Sequence, residues 1–199
     1  MKTVYAAAIL AFLGSVGCGV EADPWCKMHR CEVAGERTYA PSKDIEALTA
    51  VATQRWGRAT GLDLRVAKDG IPVKFVDQVF SMKSKDELEL DKDGNPIELC
   101  GATYHETPKD KTGFRILRID IAENPTVPCP THIEVLLHEL GHSLRPGAEH
   151  PYRGLMSEYD PAKGNIDEFA VEWVCEGAPC STFEPEWYLD SESVQVSAI

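Results

Sequence analysis

Two histidines and a glutamate in the segment His-Glu-Leu-Gly-His, residues 138–142, have the types and spacing that suit metal-dependent hydrolysis. At about 3.6 residues per turn, His138 and His142 lie on one face of a helix, so their imidazoles can reach a single ion. A catalytic zinc site keeps one position for water, and Glu139 stands beside the two ligands as a candidate general base. The motif therefore predicts a zinc-dependent hydrolase in which Glu139 activates water.

The chain around the motif is predicted to be a helix that holds the two histidines in place. Thr131 can cap its first turn, and Glu134 three residues later completes a capping box. Pro146 and Gly147 end it, since proline cannot continue the backbone hydrogen bonds and glycine tolerates the reversal. Its apolar face is formed by Val135, Leu136, Leu137, Leu140 and Leu144.

A third metal ligand must come from the chain beyond this turn. The candidates are Glu149, His150 and a carboxylate farther on, Glu168 or Glu172. Imidazole suits zinc well and His150 follows the Pro-Gly turn directly, so His150 is the favoured ligand.

The segment resembles the metzincin zinc metalloproteases, in particular their matrixin-like branch. The likeness rests on HELGH, the glycine turn, His150 and the Gly-Leu-Met stretch at 154–156. His150 follows His142 by eight residues, two more than in the family pattern, and Gly147 is displaced in the same way. A two-residue insertion in the turn accounts for both departures.

The resemblance implies an α+β fold: a twisted mixed β-sheet with an antiparallel edge strand, an amino-terminal helix, the zinc-binding helix, and a short carboxy-terminal subdomain with a Met-turn and a final helix. It assigns Met156 to the Met-turn, a hydrophobic floor under one catalytic Zn²⁺. Tyr159 does not match the tyrosine that some members place near the metal, so a structural role is expected for it. The edge strand, which would bind an extended peptide by main-chain hydrogen bonds, corresponds to Gly101, Ala102, Thr103 and Tyr104.

Periodicity predicts two further helices. The first is expected to be capped by Ser42 and ended by Gly61 in a left-handed conformation. Its inward positions are Ile45, Leu48, Ala52, Trp56 and Ala59. The last helix is expected over 166–175, with Phe169, Ala170 and Trp173 on its inward side.

Three strands are predicted between these helices. Residues 62–66 alternate as a half-buried strand, and residues 116–121 form a β-branched run before the zinc helix. A strand over 73–79 is expected to begin only after Pro72, because proline cannot donate a hydrogen bond within a sheet.

The amino terminus indicates export. Lys2 and the apolar stretch at 4–16 predict a signal peptide over residues 1–17, too short to span a bilayer. Gly17-Cys18 resembles a bacterial lipobox, which would lipidate Cys18 and give an outer-membrane lipoprotein of the cell envelope. Cleavage nearby and free secretion is the alternative. A lipid at Cys18 is the only membrane attachment expected.

Cysteine number and spacing favour three disulfides. The chain has seven cysteines, and lipidation of Cys18 would leave an even number in an exported protein. Two pairs are close in sequence, and the remaining two cysteines would link the edge strand to the start of the zinc helix. Six cysteines allow about 15 connectivities and the sequence does not choose among them, so Cys26–Cys31, Cys100–Cys129 and Cys175–Cys180 are the candidate pairs.

Length and charge fit one exported catalytic unit. We expect a linker with a disulfide at 18–34, the catalytic domain at 35–180 and an acidic tail at 181–199. The net charge of −12 argues against nucleic-acid binding, and a monomer acting on peptide or protein substrates is expected. The order Asp91-x-Asp93-Gly-Asn95 does not follow the EF-hand spacing, so calcium stays uncertain.

Two other functions fit the same residues. One is a non-catalytic zinc-containing domain that binds peptides, and the other is a zinc peptidase with a carboxylate as third ligand. The presence of Glu139 favours an endopeptidase over the first, because a structural zinc site needs no base.

Overall fold

The computed structural model describes residues 36–84, 87–106, 115–145, 150–157 and 164–186. Their helices are α1 (Glu46–Thr60), α2 (His132–Leu144) and α3 (Glu168–Cys175). Their strands are β1 (Glu36–Pro41), β2 (Asp63–Val66), β3 (Ile71–Val76), β4 (Val79–Phe80), β5 (Met82–Ser84), β6 (Glu87–Leu88), β7 (Glu98–Leu99), β8 (Gly101–Glu106) and β9 (Arg115–Ala122). The described chain is therefore a mixed α/β fold, compatible with the expected α+β class.

The main sheet has five strands in the order β2-β1-β3-β9-β8. The first four pair in parallel, and β8 joins β9 antiparallel at the edge. Two short antiparallel pairs, β4 with β7 and β5 with β6, lie outside it. The expected mixed sheet with an antiparallel edge strand is confirmed.

The core lies between this sheet and the helices. Val73, Ile119 and Ile121 from the sheet are fully or almost fully buried, together with the apolar face of α2. Trp56 of α1 is buried as well, and its indole nitrogen donates to the carbonyl of Leu137 at 2.9 Å. Since burying a large apolar side chain stabilises by about 1.5–3 kcal/mol, these contacts fix α2 against both the sheet and α1.

The helix predictions are confirmed for α2 and partly wrong for the other two. Thr131 caps α2 in a capping box with Glu134, as expected. Ser42 does not cap α1: a turn from Ser42 to Ile45 buries the Ile45 side chain, and the helix begins after it. Gly61 ends α1 with φ of 69°, as predicted. Phe169 is 40% exposed, because the inward stripe of α3 is Ala170, Val171, Trp173 and Val174.

The predicted strand over 73–79 is partly wrong, and one strand was missed. Strand β3 runs from Ile71 to Val76, so Pro72 lies inside it, and Val79 belongs to the separate strand β4. At Pro72 the strand pairs only with β1, since pairing with β9 starts at Val73, and the missing N–H is therefore tolerated. Strand β1 was not predicted, and it occupies the middle of the parallel part of the sheet.

The predicted pairs Cys100–Cys129 and Cys175–Cys180 are both disulfides, which agrees with an oxidising, exported setting. In the ranges described, no helix has the length and apolar character needed to cross a membrane. The signal peptide at 1–17, Cys18, the Cys26–Cys31 pair and Tyr159 lie outside the described residues.

Candidate metal centre

Three histidine side chains converge on one point, and we call them the histidine cluster: His138, His142 and His150. Their Nε2 atoms lie 3.1 Å apart for His138 and His142, 3.3 Å for His138 and His150, and 2.8 Å for His142 and His150. Nitrogens that bind one tetrahedral zinc at about 2.0–2.1 Å lie about 3.3 Å from each other. The observed spacings are within about half an ångström of that value, so this group could hold a metal ion.

Two members of the histidine cluster come from one helix, and the third comes from the chain after it. His138 and His142 are one turn apart on α2, which helix geometry alone fixes. His150 comes eight residues after His142 in the sequence, and the structure places its ring against both of the others. Of the competing ligands, Glu168 and Glu172 are exposed on α3 and outside the group, and Glu149 lies outside the described residues.

A backbone carbonyl fixes the orientation of His138. Its Nδ1 lies 2.8 Å from the carbonyl oxygen of Leu155, and a carbonyl can only accept. Nδ1 therefore carries the proton, and in the neutral ring the lone pair of Nε2 faces the cluster. This is the tautomer that a metal ligand requires.

Burial favours the neutral state of the His142 ring. Removal from water, followed by the neighbouring His138 and His150, holds the pKa of His142 well below its ordinary value. The ring is thus neutral at physiological pH and can offer a lone pair. The edge of Trp173 packs against it, with ring centroids 5.8 Å apart.

Met156 packs directly against α2. It is fully buried, and a Cβ added at Gly141 would overlap its Sδ and approach Trp56 to 3.1 Å. The glycine inside HELGH therefore lets Met156 pack against the helix backbone beside His142. This position fits the floor that the family resemblance implies for Met156.

Asp167 links the segment at 154–157 to α3, and the sequence analysis did not identify this residue. Its Oδ2 accepts the N–H of Leu155 at 2.6 Å, while its Oδ1 accepts two N–H groups in the first turn of α3. Since the Leu155 carbonyl accepts from His138, the backbone of this one residue links Asp167 to a member of the cluster. Asp before a helical run is an N-cap signal that could have identified it.

Glu139 lies between α2 and the edge strand β8. It is 7% exposed, and the Thr103 hydroxyl lies 2.9 Å from its Oε2. A Cβ at Gly101 would come within 3.0 Å of the Glu139 Cγ, so glycine is needed for this close approach. Burial raises the pKa of Glu139 to about 7, against the opposing effect of hydrogen bonds from Thr103.

One cleft of about 1130 Å³ contains the histidine cluster, Glu139 and part of β8. The predicted substrate-strand residues Gly101, Ala102 and Thr103 line it, whereas the Tyr104 ring lies 3.9 Å from the Arg118 guanidinium. Within the described chain β8 pairs only with β9, so its other edge carries no neighbouring strand. The remaining wall includes Val127, Pro128, Pro130 and the carboxylates Glu89, Glu98 and Glu134.

The acidic turn considered for calcium uses its carboxylate internally. Asp91 Oδ1 accepts the N–H groups of Asp93 and Asn95 at 2.8 and 2.9 Å. Among the residues described, the group found with metal-binding geometry is the histidine cluster.

No family model matches this sequence, and no significant match was found among curated proteins. The functional assignment therefore depends on the chemistry of the cleft.

Proposed function

We propose that this protein is a zinc-dependent endopeptidase of the metzincin type that hydrolyses peptide bonds in extended substrates. The observation that carries the proposal is the meeting of three features in one cleft: the histidine cluster, the buried carboxylate of Glu139, and an edge of β8 that pairs with no other strand of the described residues. Each alone is common, but together they match the needs of peptide hydrolysis.

The donor set fits zinc by its chemistry, since three neutral imidazoles form a catalytic ligand set and leave a fourth position open. Zinc held there would polarise the scissile carbonyl and lower the pKa of a water molecule. Glu139 would take the proton of that water at its carboxylate and return it to the leaving amine nitrogen. Glu139 is buried and lines the same cleft as the histidine cluster, so its carboxylate would lie close to the site of the reaction.

The substrate would bind along β8. Gly101 lies against Glu139 and α2, and the strand runs from there to the exposed Glu106. A peptide adding to the free edge gains main-chain hydrogen bonds whatever its side chains are, which positions it for cleavage without demanding one sequence. The cleft volume leaves room for several peptide residues.

The same proposal includes export to a cell envelope or to the medium, which the two disulfides support. There the protein would act as a monomer on peptide or protein substrates, held at a membrane only if Cys18 is lipidated.

The test is Glu139→Gln in the full chain, expressed with export to an oxidising compartment. We expect the variant to keep the zinc content of the parent and to lose cleavage of a mixed peptide library by about 10²–10⁴-fold, since the amide cannot accept the proton. Metal content by mass spectrometry and cleavage by peptide sequencing measure the two effects separately. Glu172→Gln, an exposed glutamate on α3, is the matched control and should behave as the parent.

Two results would overturn the proposal. One is a zinc-loaded parent that cleaves nothing in the library, which would indicate a non-catalytic zinc domain. The other is equal cleavage by parent and Glu139→Gln.

A further inference from the structure

We infer that Thr103 is a positioning residue for Glu139: its hydroxyl holds one carboxylate oxygen so that the other is directed into the cleft. The inference rests on the proposed function for its catalytic consequence, but its structural part stands on contacts between β8 and α2. Neither the motif nor the family resemblance assigns a role to the Thr103 side chain.

The Thr103 hydroxyl contacts Glu139 twice. Its Oγ1 lies 2.7 Å from the backbone carbonyl oxygen of Glu139 and 2.9 Å from the side-chain Oε2. A hydroxyl has one proton to donate and two lone pairs to accept with. It can therefore donate to the carboxylate, or donate to the carbonyl while accepting from a protonated carboxyl group.

This versatility suits the proton cycle of the proposed reaction. Glu139 must be a carboxylate before it takes a proton from water and a carboxylic acid until it gives that proton to the amine. Rotation of the Thr103 O–H gives Oε2 a hydrogen bond in both steps. In the proposed cycle Oε1 is then the oxygen that serves the reacting water and amine, while the carboxylate also accepts a hydrogen bond from the Thr103 main chain.

Strand β8 contacts Glu139 at two positions, one that leaves space for its side chain and one that binds its carboxylate. Gly101 and Thr103 are two residues apart on β8, so both positions lie on the same face of the sheet. In the register with β9 they pair with Ile121 and Ile119. The missing side chain at Gly101 admits the Glu139 Cγ, and the hydroxyl at Thr103 binds its oxygen. The Glu139 side chain is thereby confined to one slot.

The test compares Thr103→Val with Thr103→Ser. Valine keeps the shape and strand preference of threonine without the hydroxyl, and serine keeps the hydroxyl. We expect Thr103→Val to lower kcat about 10–100-fold with KM within about twofold, and Thr103→Ser to stay within about threefold of the parent, because the main chain that binds substrate is unchanged. Thr38→Val on β1 is the matched control and should keep parental kinetics.

A double variant separates positioning from a general structural defect. If Thr103 acts through Glu139, adding Thr103→Val to Glu139→Gln should cause little further loss. An equal additional loss in that background, or a Thr103→Ser variant as impaired as Thr103→Val, would overturn the inference. Parental kcat in Thr103→Val would overturn it while leaving the peptidase proposal intact.

Crystal structures of the three proteins give a readout that needs no activity. We expect Oε2 of Glu139 to stay within hydrogen-bond distance of the hydroxyl in the parent and in Thr103→Ser, and to leave that position in Thr103→Val. An unmoved carboxylate in Thr103→Val would overturn the inference even for a protein that cleaves no peptide.

Discussion

Helix α2 contacts two groups of polar residues that differ in whether the contacts between their members can all be hydrogen bonds. The histidine cluster lies on its cleft side. The other group, which we call the arginine cluster, lies where α2 meets β1 and consists of Arg37, Tyr39 and Ser143. The arginine cluster is buried and the histidine cluster is partly buried in the wall of the cleft, and only the histidine cluster has a geometry that calls for an added ion.

In the arginine cluster each contact has a donor and an acceptor. Arg37 donates to the carbonyl oxygen of Ser143 at 2.5 Å, which places a cation at the carboxyl end of α2, where the helix dipole favours it. The Ser143 hydroxyl donates to the Leu140 carbonyl, so the Tyr39 hydroxyl donates to Ser143 at 2.8 Å. These bonds stabilise the contact between β1 and α2, although the buried Nε of Arg37 has no hydrogen-bond partner among the described residues.

In the histidine cluster three ring nitrogens of the same kind face one another. With the proton of His138 fixed on Nδ1, its Nε2 can only accept, and neutral neighbours cannot satisfy all three contacts with donors. A metal ion satisfies three lone pairs at once. The comparison teaches that polar side chains in contact indicate function when the contacts among them cannot all be hydrogen bonds without a ligand.

The largest effect we expect concerns the stability of the metal-free protein. The pKa of Glu139 is raised by burial from 4.5 to about 7, so the folded chain binds its proton more tightly than the unfolded chain. Below about pH 4.5 the carboxyl is protonated in both states and costs nothing; above about pH 7 the folded state must bury a carboxylate. Metal-free Glu139→Gln should therefore be more stable than the metal-free parent at pH 8, by about 3 kcal/mol.

Urea unfolding of both chelated proteins at about pH 4.5 and pH 8 measures this difference. The gap between them should open as the pH rises through that window, while the effect of His142, whose pKa is lowered by burial, is common to both chains and cancels. If the difference in the free energy of unfolding did not change with pH, burial would not raise the pKa of Glu139 in the folded protein.

The next effect isolates His150. With free zinc about 100-fold above its Kd, binding should stabilise the parent by about 2.7 kcal/mol. Loss of a ligand should weaken binding at least about 100-fold, which reduces that gain to about 0.4 kcal/mol in His150→Ala. Thermal unfolding with and without zinc gives both values. His105→Ala, a histidine lining the same cleft outside the cluster, should keep the full gain; a full gain in His150→Ala would remove His150 from the ligand set.

The sequence predicted those parts of the site that depend on short-range geometry. His138, Glu139 and His142 lie within two turns of one helix, whose cap and apolar face are visible in the sequence. His150 was favoured by ligand chemistry, but its convergence depends on the path of a turn that periodicity does not describe. Thr103 reaches Glu139 from a strand 36 residues earlier, and only the register of β8 on β9 brings them together.

Strand β1 shows why the fold was only partly predictable. Its inward residues are Arg37 and Tyr39, so a buried strand presents a charged residue where the alternating pattern expects an apolar one. The arginine is buried because the carboxyl end of α2 accepts its hydrogen bond, and that partner is 106 residues away. Local preference could not reveal a contact of this kind, whereas the parallel pairing of β1 with β2 and β3 creates it.

The smallest effect tests whether the arginine cluster is purely structural. Tyr39→Phe removes the hydroxyl that donates to Ser143, while Ser143 keeps its bond to Leu140. We expect a loss of about 1 kcal/mol in the free energy of unfolding, a fall of about 2–4 °C in Tm, and unchanged zinc binding and cleavage. Adding Ser143→Ala should remove less than the sum of the single losses, since both variants break the same bond. If Tyr39→Phe instead lowered zinc affinity without changing Tm, the two clusters would be coupled through α2, and the pairing of donors with acceptors among their members would no longer distinguish a structural group from a functional one.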